Sequence, residues 1–208
     1  MHIQEGVLSG SPAGLAVLAG GAVLAGVGTV IGLRRMEDES IPRVAVLGSA
    51  FFVGSLIHLP LGVTSVHLVL NGLAGLILGW TCFPALLIAL LLQAVLFGFG
   101  GLTTLGLNLF DLALPAVGCY YVLGPLCRSS RPHVGFTGGF LAGGGAVLGA
   151  AILTGTALLA GGAEFRHIAQ GLILAHLPVA AAEGLVTGSV VTFLRRVRPE
   201  VLNAPLAS

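Results

Sequence analysis

The sequence has 208 residues, of which 56% are hydrophobic, 8% are charged and 33 are Gly, far from the roughly 25% charged content of soluble domains. Its net charge of +1 comes from dispersed Arg with no Lys, so no basic stripe is available to track a backbone, and nucleic-acid binding is excluded. Residues 44–110 form a run of 67 without Asp, Glu, Lys or Arg; about 20 suffice to cross a ~30 Å hydrocarbon layer as helix, so the chain spans a lipid bilayer several times.

In chain order, the opening residues Met1 to Gly6 carry no basic stretch, and no small-x-small cleavage site follows. A cleaved signal peptide is therefore not expected, and Met1 is expected to remain the N-terminus. Apolar runs between breakers predict about seven crossings after an N-terminal segment 1–11, at roughly 12–33, 44–62, 66–80, 83–99, 103–126, 134–161 and 168–194. Pro84 separates the third from the fourth because it blocks a continuous helix, while Trp80 suits an interface. The predicted fold is thus an all-α integral membrane bundle of one domain, 1–208.

Seven crossings place Arg34, Arg35, Arg43, Arg128, Arg131, Arg195, Arg196 and Arg198 on one side and Arg166 on the other. The positive-inside bias then sets the N-terminus outside and the C-terminus in the cytoplasm. The same parity brings the turn containing His67 to the outer side, near Met1-His2. Cys82, Cys119 and Cys127 lack C-x-x-C spacing and read as packing residues. Small residues such as Gly138-Gly139 and Gly143-Gly144-Gly145 are spaced for close helix contact.

His2 has a distinctive chelating geometry. The terminal amine, the His2 amide nitrogen and the His2 imidazole close adjacent chelate rings around one ion, and a planar nitrogen field favours Ni(II) or Cu(II). Spacing alone nevertheless favours an exposed incidental histidine. His67 follows Thr64 and Ser65, which could orient it, whereas His58 is open between a further ligand, a hydrogen-bond donor behind the ligands and an interface residue. Gln93 and the run Gly100 to Asn108 form a candidate pocket wall, with Gln93, Thr104 and Asn108 as hydrogen-bond partners for ligating histidines; a capped helix start is the alternative.

Asp111, His176 and Glu183 fall within apolar crossings, where ionisable groups usually face the bundle interior. His176 and Glu183 are two helical turns apart and share a face; Asp111 could pair with His176, although no sequence feature demonstrates it. A structural polar cluster is the first reading; metal passage or conformational coupling is the sharper one. His133 and His167 read as solvated loop residues.

The start Met1-His2-Ile3-Gln4-Glu5-Gly6, the turn ending in His67, the block Leu92-Gln93 through Gly100-Gly101-Leu102-Thr103-Thr104-Leu105-Gly106, and His176-Leu177-Pro178 through Glu183-Gly184 together resemble the CbiM/NikM family, the substrate-binding membrane components of energy-coupling-factor importers for cobalt and nickel. The resemblance implies a seven-helix fold with the N-terminus tucked into an outward pocket. It implies Ni2+ or Co2+ as the transported substrate, held by nitrogens of Met1, His2 and the loop residue His67, with no organic cofactor. It also implies partners: a transmembrane coupling protein and cytoplasmic ATPase subunits, with room for a small accessory membrane subunit. The chain itself contains no G-x-x-x-x-G-K-[ST] phosphate loop.

Two departures from the family pattern bear on the metal. Gly62-Val63-Thr64-Ser65-Val66 stands where cobalt-type members often carry Gly-Ser-Cys-Ser, and Leu107 and Asp111 stand where Ala and Asn are expected. Nickel and cobalt both stay open, with a planar all-nitrogen field leaning towards nickel. An enzyme is not expected, because neither H-E-x-x-H nor a nucleophile with its base occurs. The rival transport reading is a passive channel or secondary transporter using Asp111, His176 and Glu183.

Overall fold

The computed structural model describes residues 2–56, 58–61 and 64–202, with the strand residues 58–61 and 64–67 described by backbone alone. Seven α-helices occur among them: α1 Pro12–Arg34, α2 Ile41–Gly54, α3 Asn71–Leu78, α4 Cys82–Phe97, α5 Leu105–Cys127, α6 Pro132–Gly161 and α7 Arg166–Val197. Two short strands, β1 His58–Leu61 and β2 Thr64–His67, form an antiparallel hairpin between α2 and α3.

Five stretches are long and apolar enough to cross a membrane: Pro12–Arg34, Asn71–Phe97, Leu105–Cys127, Pro132–Gly161 and Ala163–Val197. Among the described residues these stretches make a multi-pass bundle, and two of the seven expected crossings are represented by helices too short to span alone. At about 1.5 Å of rise per residue, the 14 residues of α2 cover roughly 21 Å and the eight of α3 roughly 12 Å, against a core of ~30 Å. The expected helix 44–62 ends at Gly54, and the expected helix 66–80 begins only at Asn71. Pro60 explains part of this, since it lacks an amide hydrogen and disfavours helix in the residue before it. The β-branched Thr64 and Val66 suit a pleated strand.

The arginines do gather at one end. Arg35, Arg43 and Arg198 line a cavity of about 730 Å³ together with Trp80, Thr81 and Tyr121. The Arg35 guanidinium and Trp80 Nε1 both donate to the Tyr121 hydroxyl, at 3.2 and 3.0 Å, and Arg195 donates to the Arg131 carbonyl at 3.1 Å. The 3-10 turn Gly79–Thr81 therefore sits at this arginine end. α4 leaves it and finishes at the opposite end, where the following Gly100 and Gly101 meet the N-terminal segment. α3 reaches the arginine end from the interior, so the backbone just before Asn71 lies deep in the bundle.

Packing is most extensive between α6 and α7, where a Cβ at Gly143 would stand 2.5 Å from the Glu183 carbonyl oxygen. Only glycine admits that approach, the small-residue packing that membrane helices use. The main core joins Phe51 of α2, Phe83 and Leu86 of α4, Leu109 and Leu112 of α5, Ala150 of α6 and Leu172 of α7, all buried. Cys82 and Cys127 are buried and unbridged. His133 and His167 are exposed in the first turns of α6 and α7 rather than in loops.

Candidate metal centre

The N-terminal segment folds back into the bundle. Ile3 and Leu8 are 0% and 1% exposed and pack with Leu18 of α1, Leu107 of α5 and Leu158 of α6. The main chain is fixed by Asn108: its carboxamide oxygen accepts the Ile3 amide hydrogen at 2.9 Å, and its Nδ2 donates to the Ile3 carbonyl at 3.1 Å and to Thr104 Oγ1 at 3.1 Å. Two residues on, the Glu5 amide donates to the Gly100 carbonyl at 2.7 Å, while the Glu5 carboxylate accepts from the Thr103 amide at 3.3 Å. Gly100 and Gly101 have φ of +73° and +153°, a region other residues rarely adopt, and a side chain at Gly101 would collide with the Glu5 carboxylate.

Ser11 closes this segment. Its hydroxyl oxygen caps α1 by accepting the Gly14 amide at 3.0 Å, and its own hydrogen goes to the Gly161 carbonyl at 3.1 Å. His2 is thereby held in the interior, 2% exposed. Met1 lies outside the described residues.

β1 and β2 pair His58 with His67, Pro60 with Ser65 and Leu61 with Thr64. The expected loop histidine thus stands in a strand directly opposite His58. The side chains of His58, Thr64, Ser65 and His67 lie outside the described residues. Beyond the hairpin the chain turns through Leu70, which has φ 53°. A left-handed leucine costs roughly 1–2 kcal/mol.

What holds that turn is Glu183. Its Oε1 accepts the amide hydrogens of both Val69 and Leu70, the latter at 2.8 Å, and Oε2 also accepts from Leu70 at 3.0 Å. Successive N–H groups turned to one side form a concavity suited to an anion. Non-helical backbone at membrane depth must be satisfied by protein, and a fully buried carboxyl from α7 does so here. The following Asn71 side chain donates to the Leu112 and Ala146 carbonyls at 3.0 and 3.4 Å, tying α3 to α5 and α6.

The remaining expected residues fall differently from the sequence reading. Asn108 grips the Ile3 backbone beside His2, and Thr104 supports it by accepting from Asn108 Nδ2 and donating to the Gly101 carbonyl at 3.3 Å. Gln93 is buried and donates to Ser55 Oγ, so it joins α4 to the end of α2, and its Oε1 has no partner among the described residues. Asp111 accepts from Thr154 Oγ1 at 3.0 Å and does not pair with His176. The His176 Nδ1 lies 2.7 Å from the Leu172 carbonyl, so Nδ1 carries the hydrogen, and the buried Nε2 is left as an acceptor without a partner among the described residues. Among the described residues no three His, Cys, Asp or Glu side chains converge as metal ligands. Sequence reading missed the clamp on Ile3 and the seat for Val69 and Leu70, because both engage main chain, which has no residue signature.

A family model described as "Cobalt uptake substrate-specific transmembrane region", CbiM, matches residues 2–201. The chain belongs to the CbiM family. It is 43% identical over 208 residues to a putative metal transport protein of Haemophilus influenzae, covering 98% of this chain and 97% of that one. The cobalt transport protein CbiM of Sorangium cellulosum is 30% identical, covering 98% of this chain and 95% of that protein. The fused nickel transport protein NikMN of Rhodobacter capsulatus is 32% identical over the whole of this chain, which spans 66% of that longer protein. A crystal structure titled as a transition metal transporter superposes with a TM-score of 0.67 at 24% identity, covering 95% of this chain and 93% of that one, which establishes the shared fold. This CbiM-family chain is therefore a multi-pass membrane component of metal uptake.

Proposed function

We propose that the chain is the substrate-capturing membrane subunit of an ATP-driven energy-coupling-factor importer for Ni(II) or Co(II). The ion is held by the terminal amine at Met1, the amide and imidazole nitrogens of His2, and the imidazole of His67. The observation that carries this reading is the burial of His2 beside a main chain fixed on both sides of Ile3 by Asn108. A freely moving terminus would lose conformational freedom on chelating an ion, whereas a pinned one loses little. Preorganised ligands bind more tightly for this reason.

The N-terminal end faces outward and the arginine end faces the cytoplasm, following the positive-inside bias. The chain has no phosphate-binding loop and no Lys, so ATP hydrolysis comes from cytoplasmic partner subunits joined through a transmembrane coupling protein. Two variants test the site: one residue added before Met1, and His2→Ala. Calorimetric titration with Ni(II), with intact mass establishing that Met1 is retained, should show high-affinity binding lost in both. Unchanged affinity in the extended variant would remove the terminal amine from the site. Metal uptake by cells expressing this chain without an ATPase would favour the channel or secondary-carrier reading.

A further inference from the structure

We propose that Glu183 is a positioning residue for metal capture: its carboxyl, seated under the Val69 and Leu70 amides, fixes the turn that carries His67 and couples it to α7. The proposal rests on the reading of His67 as a ligand.

Three observations converge on it. Glu183 is completely buried, and an ionisable group at membrane depth is costly, so it persists where it serves a function. Its oxygens contact main chain, with Val69 and Leu70 both donating to Oε1, so the carboxyl reads a backbone shape rather than a side chain. The turn it holds is strained, because Leu70 is the one described non-glycine residue at positive φ, and such strain persists only where neighbours over-determine it.

The chain separation sharpens the argument. His67 is two residues from Val69, and Val69 is 114 residues from Glu183, so the orientation of the hairpin is set by α7 rather than locally. α3 is too short to rise to the membrane surface, and Asn71 anchors its start to α5 and α6. The seat on Glu183 thus fixes the turn that leads into the hairpin. Gly143 lies against the Glu183 carbonyl, so α6 supports the same turn of α7 from behind. A shift of α7 would move the hairpin with it, which provides a route by which partner subunits acting on α7 alter metal affinity.

The geometry distinguishes a hydrogen-bond seat from a carboxylate that handles the ion. Glu183→Gln keeps Oε1, the oxygen that accepts both amides, whereas Glu183→Ala removes it. In the purified full chain, without metal, amide exchange at residues 69 and 70 should be as slow in Glu183→Gln as in the parent and faster in Glu183→Ala. Ni(II) affinity should stay within a few-fold for Gln and fall roughly 10- to 100-fold for Ala, the range for lost supporting partners of ligands. The absorption bands of the bound Ni(II) should be unchanged for Gln and shifted for Ala.

Glu183→Gln is nearly isosteric and keeps the test decisive even if Glu183→Ala does not fold. Loss of affinity in a folded Gln variant with protected amides would overturn the proposal and assign the carboxylate to the ion itself. Native affinity in Glu183→Ala, with binding lost in His67→Ala, would overturn the seat alone. Native affinity in His67→Ala would overturn both the ligand reading and the proposal.

Discussion

Asn108 grips the Ile3 peptide from both sides, accepting its amide hydrogen at 2.9 Å and donating to its carbonyl at 3.1 Å. Asn108→Ala leaves a buried donor and a buried acceptor unpaired, at about 1–3 kcal/mol each. That cost is met by releasing the segment, which costs binding. Ni(II) affinity should fall roughly 10- to 100-fold while thermal unfolding of the bundle changes little. Asn108→Asp keeps the acceptor and loses the donor, so its affinity should lie between. Calorimetry on the three proteins measures the ordering.

Asp111 and Thr154 make a private pair. The Thr154 hydroxyl donates to Asp111 Oδ2 at 3.0 Å between α5 and α6. Thr154→Val should destabilise by about 1–3 kcal/mol, as expected for a hydrogen bond to a buried polar group. Asp111→Asn should cost less, because the hydroxyl retains an acceptor. A double-mutant cycle on thermal stability isolates the coupling. Neither variant should alter Ni(II) affinity or transport rate, and a transport defect in Asp111→Asn would revive the rival path through the interior acids.

The proposed ligand set has a definite pH signature. Amine and imidazole nitrogens must shed protons to bind an ion, and their reference values are about 7.7–8.0 and about 6.5. Affinity should therefore be greatest above about pH 7.5 and fall steeply towards pH 5.5, with more than one proton released per ion. Titrations in buffers of different ionisation enthalpy count those protons. Carboxylate oxygens titrate near 4, so a flat profile over this window, or effective competition by Mg(II), would point to an oxygen site instead.

Much of the bundle was legible because membrane burial writes itself into composition. α1, α5, α6 and α7 lie within a few residues of their expected positions, since each is a long apolar run ended by arginine, glycine or proline. The region from His58 to Asn71 was not legible as a hairpin. In a bundle that buries all sides of a segment, an apolar run carries no periodicity to separate helix from strand. The turn that follows the hairpin is held by the distant Glu183, whose partners, the Val69 and Leu70 amides, are groups common to every residue. Asn108 and Thr104 were legible as polar groups near the terminus, but the Asn108 grip on the Ile3 backbone depends on a chain reversal that spacing does not encode. The interior acids were legible as interior, and their partners only from the packing of α5 against α6 and of α7 against the turn at Leu70.

The return of residues 2–11 into the bundle also constrains how the protein is made. Ile3 meets Asn108 across 105 residues, and Ser11 meets Gly161 across 150. A ribosome adding about 5–20 residues per second takes roughly 8–30 s to supply that later stretch. Residues 2–11 are consequently among the last to be seated, and must stay unentangled while α5 and α6 enter the membrane. Docking of the terminus is a late assembly step, so a folding defect far along the chain, in α6 for example, would appear first as a misplaced N-terminus.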